Sequence, residues 1–268
     1  MTTRELLLSC WQLDPIALAV IVAAGAALVA TKGHRPALRA LPLGLAIVVL
    51  VVALLSPVGR LADGYLFSAH MLQHLLLVLA VPPLALLGLR PIEGEAAPLS
   101  RRSVLWRLLA VPLVTWGLGV GAMWLWHAPT LCNAASSSPL VHRFQELSLL
   151  AMGAAFWWPV MAPRVSSRLS PLGGIVYLFT ACSACTLLGI FITFSPVQVC
   201  SVFAHPVDAL GVMPLLREGW GLTPERDQQV GGLLMWVPAC LVYGAGIMAQ
   251  LARLLHEPQR TAAEGRAS

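Results

Sequence analysis

Residues 66–89 read LFSAHMLQHLLLVLAVPPLALLGL, an apolar run with no Asp, Glu, Lys or Arg that nevertheless carries two histidines, His70 and His74. About 20 largely apolar residues are needed for a helix to cross a hydrocarbon core, so this stretch predicts a membrane-spanning helix with polar groups near its beginning. Working outward, blocks of the same kind lie near Asp14 to Thr31, Leu38 to Ser56, Leu105 to Trp126, Leu140 to Met161, Leu172 to Ser195 and Gln228 to Leu254. Together with Leu66 to Leu89 they predict seven spans. Only 11% of residues are charged, against about 25% in soluble domains, which excludes a soluble globular enzyme. No low-complexity tract or heptad run is present, so disorder and coiled coil are excluded too. The expectation is an all-α polytopic membrane protein, a seven-transmembrane helix bundle, with residues 1–268 forming a single transmembrane domain. The net charge of +5 carries no implication of nucleic acid here, because basic loops in membrane proteins act as topology determinants.

Orientation follows from those loops. Lys32, Arg35, Arg39, Arg90, Arg101, Arg102, Arg164, Arg168, Arg253, Arg260 and Arg266 fall on one side, with Arg107 just inside span four there, while Arg4, Arg60, Arg217 and Arg226 fall on the other, with Arg143 just inside span five. Retained loops are enriched in Lys and Arg, which puts the N-terminus outside, the C-terminus in the cytoplasm and the protein in a bacterial inner membrane, surrounded by lipid. Trp106, Trp124, Trp126, Trp157 and Trp158 stand at predicted span ends, as an interfacial aromatic belt would. Leu7-Leu8-Ser9-Cys10 is faintly similar to a lipoprotein cleavage box, but the apolar run before it is too short for a signal core, so no cleaved signal is expected.

With direction fixed, the ionisable residues fall at one depth. His70 and His74 open span three, His127 closes span four, His142 and Glu146 open span five, and Asp227 opens span seven, all on the outer side. An ionisable side chain near the bilayer centre costs at least about 2.5 kcal/mol, so such residues face the bundle interior and find partners. Residues four apart share a helix face, and two helices each offering such a pair, with His127, make a nitrogen-rich set suited to a transition metal. Each histidine alone also reads as an ordinary hydrogen-bonding interfacial residue. Thr223-Pro224-Glu225 resembles a helix start, which leaves Asp227 open between a cap-region acid and a site residue. Cys182 and Cys185 suit helix packing or a soft ion. Cys10, Cys132 and Cys200 lie on the outer side, where a disulfide is permitted without a connectivity being implied. Met71, Met123 and Met235 could assist copper or simply pack. Gly231 and Gly232, with Gly117, Gly119 and Gly121, are expected to let helices approach closely. Pro82, Pro83, Pro112 and Pro238 are expected to kink their spans.

Several of these residues sit in ordered motifs: Ser68-Ala-His-Met-Leu-Gln-His74, Trp126-His-Ala-Pro129, His142 followed by Phe156-Trp-Trp-Pro159, and Asp227-Gln-Gln-Val-Gly-Gly-Leu-Leu-Met-Trp-Val-Pro238. Together they resemble the multi-span cytochrome c oxidase assembly factor family of the CtaG type. The resemblance implies a factor that matures a haem-copper oxidase, with an oxidase subunit as partner and copper handled at His70, His74, His127 and His142, with Asp227 in the matching Asp-Gln-Gln motif; Glu146 joins the expected metal set through its spacing from His142. Two positions depart from the family's pattern. Glu146 stands where the family usually has a second histidine, and Cys132 where tyrosine is often found after the Trp-His motif. Carboxylate is a harder ligand than imidazole, so the first departure bears on which metal is held. Two other readings compete: a membrane-embedded metalloenzyme with Glu146 or Asp227 moving protons, and a copper transporter. The one-sided polarity argues against a transporter, and an assembly factor is the favoured reading, with enzymatic activity left open. Self-association is left open.

Overall fold

The computed structural model describes residues 2–29, 36–89 and 104–264. Lys32, Arg35, Arg90, Arg101, Arg102 and Arg266, which carry much of the orientation argument, lie outside those ranges. Among the described residues every regular element is helical. Three helices are long and apolar enough to cross a membrane: Phe67–Gly88, Pro171–Phe194 and Pro224–His256, of 22, 24 and 33 residues. Within the described residues the other expected spans are represented by helices shorter or less apolar than these. Pro15–Val29 has 15 residues, and Pro36–Leu54 has 19 with Pro42 inside it. The block from Leu105 to Trp126 is two helices, Val104–Leu109 and Pro112–Trp126. Pro112 has no N–H and forces Val111 into an extended conformation, so proline starts a new helix there instead of kinking a continuous one. Pro139–Met161 has the length, 23 residues, but His142, Arg143, Gln145 and Glu146 crowd its first two turns.

Phe67–Gly88 is the axis of the bundle. Its apolar window is 56% buried, against 39% and 28% for the other two long helices. It packs against Pro36–Leu54, Pro139–Met161 and Pro224–Glu264. Midway it widens into a π-helical turn, Leu76–Ala80, just before Pro82 and Pro83. Two successive prolines cannot donate to the i−4 ladder, and the wider turn absorbs the resulting mismatch.

Pro171–Phe194 and Pro224–Glu264 form the most extensive helix pair. Gly232 abuts Thr193 while Gly174 abuts Gln250, so the two helices run antiparallel. A Cβ on Gly232 would stand 2.7 Å from the Thr193 amide nitrogen, and one on Gly119 would stand 2.7 Å from Phe156 Cβ. Gly231 faces the Phe67 ring. Gly117 and Gly121 face open space instead, so they do not serve close approach as expected. The outer surface of Pro171–Phe194 shows Phe179, Leu187, Phe191 and Phe194 largely exposed, an arrangement stable against hydrocarbon and unfavourable in water. Trp157 departs from the aromatic-belt expectation: it is 2% exposed and donates from its indole N–H to the Val78 carbonyl inside the core. The Trp106 side chain lies outside the description.

The end of the bundle that holds the histidines is closed by loops. Leu6, Cys10, Tyr65, Leu66, Val212 and Leu216 form a separate apolar cluster there. A disulfide joins Cys132, on the helix Pro129–Ser137, to Cys200, while Cys10 stays free and buried. Gln228 holds the same loop by accepting from the Val199 N–H and donating to the Ser195 and Val197 carbonyls.

Candidate functional site

Four imidazoles form a continuous buried file. His70 and His74, one turn apart on Phe67–Gly88, have ring centroids 4.2 Å apart. His142, from the first turn of Pro139–Met161, lies 5.4 Å from His70. His127, at the C-terminal end of Pro112–Trp126, lies 5.7 Å from His74. None is more than 4% exposed. Phe203, on the loop fastened by the disulfide, sits 5.4 Å from His70 and closes the file from above.

The ring nitrogens divide into two classes. His142 Nδ1 is 2.5 Å from Asp63 and its Nε2 is 3.2 Å from the Gln73 amide oxygen, so both nitrogens face oxygen partners. His127 directs Nδ1 to the Met123 carbonyl at 2.6 Å, leaving Nε2 3.1 Å from Met71 Sδ. Among the described residues, both nitrogens of His70 and both of His74 have no hydrogen-bond partner. The Ala62 backbone lies toward His70 and the Gln145 side chain toward His74, and neither meets the distance and angle of a hydrogen bond to a ring nitrogen. Buried polar groups are nearly always satisfied, and each orphan is unfavourable by roughly 1–3 kcal/mol. Four such atoms on adjacent rings are a concentrated departure.

A charged layer borders the file. Arg143 contacts Asp14 at 3.2 Å, Asp63 at 3.5 Å and Glu146 at 2.6 Å. Glu146 also accepts from the Gln73 amide at 2.8 Å and stands 3.8 Å from His142. Burial pushes the Asp63 carboxyl up, but the hydrogen bond from His142 and the charges of His142 and Arg143 outweigh it and hold Asp63 below the ordinary carboxylate value. A polar cavity of about 440 Å³ opens beside this layer, lined by Gln12, Asp14, Asp63, Ser136, His142 and Arg143. It sets the His142 end of the file beside a polar space.

Of the six residues singled out in the sequence, the fold gathers His70, His74, His127, His142 and Glu146. Asp227 takes a different place. Its carboxylate accepts from the Phe67 N–H at 2.8 Å, the Ser68 N–H at 3.0 Å and the Ser68 hydroxyl at 2.6 Å. Leu66 offers no capping side chain, so Asp227 satisfies the orphan donors at the start of the histidine helix from across the bundle. Among the described residues no three His, Cys, Asp or Glu side chains are arranged to hold a metal ion. Sequence reasoning missed Gln73, Asp63 and Asp14. Gln73 carried a readable signal, an amide inside an otherwise apolar run.

The profile of the cytochrome c oxidase caa3 assembly factor family matches residues 20–257. An uncharacterized protein of Mycobacterium leprae is 25% identical over 218 residues, covering 74% of this chain and 32% of its own length. Uncharacterized proteins of Mycobacterium bovis and Mycobacterium tuberculosis are each 25% identical over 257 residues, covering 85% of this chain and 37% of their own lengths. The chain thus spans about a third of the length of these curated relatives. No solved structure matches it.

Proposed function

Because the chain belongs to the cytochrome c oxidase caa3 assembly factor family, we propose that it matures a haem-copper oxidase by holding copper at the buried histidine file and yielding it to an oxidase subunit. The observation that carries this reading is the pair of adjacent rings, His70 and His74, with all four nitrogens unpartnered inside an apolar bundle. Neutral imidazole is a common metal ligand, and a bound cation would satisfy atoms that the protein leaves without partners. Copper would supply the group that the oxidase needs. The chain's own residues orient the rings: the Met123 carbonyl holds His127 from behind, the outer-sphere arrangement typical of ligating histidines, while His142, with both nitrogens facing oxygen partners, borders the site.

The same reading places the chain in a bacterial inner membrane as seven spans, with the file toward the outer face and the C-terminus in the cytoplasm. Support comes from the one-sided Lys and Arg distribution and from the Cys132–Cys200 disulfide at the histidine end, since disulfides persist on the oxidising side. A catalytic reading is less favoured, because Glu146 is committed to Arg143 and Gln73.

The test has two arms. Deleting the gene is expected to lower oxidase activity in copper-poor medium, with recovery on added copper. Purified wild-type protein is expected to carry copper that His70→Ala with His74→Ala loses. Normal oxidase activity in the deletion strain together with equal metal in both proteins would remove the proposal.

A further inference from the structure

Below the histidine file, a second small cavity is lined by Met71, Met123, Met235 and Cys185 together with His74 and His127. Three thioethers, a free thiol and two imidazoles surround a space of about 10 Å³, roughly that of one water-sized sphere. The side chains come from four helices: Phe67–Gly88, Pro112–Trp126, Pro171–Phe194 and Pro224–Glu264. Methionine often fills gaps in cores, but one contact here is not a packing contact. The Met123 carbonyl can only accept, so the hydrogen on His127 lies on Nδ1, and Nε2 of the neutral ring presents its lone pair to Met71 Sδ at 3.1 Å. Two electron-rich atoms face each other with no proton between them. Beside them His74 is 2% exposed and both of its nitrogens are without partners.

Resting on the reading that the chain handles copper, we infer that this cavity is a sulfur-rich inner site for a single monovalent soft cation, Cu(I), with Met71, His74 and His127 as its principal ligands. Thioether, thiol and imidazole select Cu(I) over harder ions. Charge argues the same way. Among the described residues no carboxylate lines the cavity, and Glu146 and Asp227 are engaged elsewhere. A divalent ion would bring two uncompensated charges into an apolar space, and burying charge without a partner is strongly unfavourable. The space leaves no room for a hydration shell, so only an ion that sheds water readily for soft ligands fits.

The experiment uses the full chain in detergent, titrated anaerobically with Cu(I) alone and, separately, with Zn(II). X-ray absorption is expected to report sulfur bound to copper in the wild type. Met71→Leu with Met235→Leu, which conserves volume, is expected to lose that sulfur signal and to weaken Cu(I) binding at least 10-fold while helical circular dichroism is unchanged. Selenomethionine-labelled protein needs no substitution: its selenium-edge spectrum should gain a copper neighbour on loading. Copper bound by nitrogen only, lost in His70→Ala with His74→Ala but unchanged in the leucine variant, would overturn the sulfur site and leave the function proposed above standing. Zn(II) binding as tightly as Cu(I) would also overturn it. A wild-type chain that binds no copper would overturn both.

Discussion

Asp63 is the residue on which the orientation of His142 depends. Its carboxylate sits 2.5 Å from Nδ1 and 3.5 Å from an Arg143 nitrogen, and these partners hold it below the ordinary carboxylate value. A group depressed in the folded state contributes stability that is complete above its unfolded pKa, about 3.9, and is lost as pH falls through the folded value. Asp63→Asn is therefore expected to lower thermal stability in detergent at neutral pH by about 1–3 kcal/mol. The gap to wild type should narrow only below about pH 4; a gap independent of acid would show that the carboxylate charge is not what matters. This residue was not legible in the sequence, because loop acids carry little topological information and no periodicity tied Asp63 to a helix. His70, His74, His127 and His142 were legible for the opposite reason, since polar side chains inside apolar runs must find the bundle interior. Their division into satisfied and orphaned nitrogens was not, as it depends on Gln73 and on the Met123 carbonyl reaching them from elsewhere.

At the level of elements, the pair Gly231 and Gly232 fixes how three helices meet. Gly231 admits the Phe67 ring and Gly232 admits the Thr193 backbone, so one dipeptide sets the spacing of Phe67–Gly88 and Pro171–Phe194 against the last helix. Asp227, one turn earlier, caps the histidine helix. Gly232→Ala must push against backbone, which cannot rotate away, and is expected to destabilise by about 1–3 kcal/mol or more. Gly117→Ala, in open space, is expected to be neutral or mildly stabilising through helix propensity. Melting both variants in detergent compares them directly, and equal losses would contradict the packing described. Sequence pattern pointed to glycines as contact points but could not sort Gly119 from Gly117 and Gly121, because that requires the neighbour's position. Likewise the apolar block from Leu105 to Trp126 looked continuous, while Pro112 divides it into two helices. Proline's missing N–H was visible; whether a neighbour would compensate for it was not.

For the whole molecule, the sequence announced an all-helical membrane protein through its low charge and long apolar blocks, and the exposed apolar exterior agrees with that. The polar machinery is concentrated at one end, under Phe203 and the loop that carries it. That end is predicted to face the periplasm. Alkaline phosphatase joined after Ser138 should be active in cells, whereas the same enzyme joined after Arg168 should not, and the reverse pattern would invert the orientation. The Cys132–Cys200 bridge then has a bearing on biogenesis. Its two sulfurs are 68 residues apart, and the helices Pro139–Met161 and Pro171–Phe194 lie between them. With the proposed topology, neither cysteine can find the other until both of those helices have been threaded into the bilayer. Fastening the roof above His70 is therefore a late event in the life of the nascent chain, and it falls to whichever thiol oxidant the compartment provides; a cell short of that oxidant would insert the helices and leave the roof unlatched.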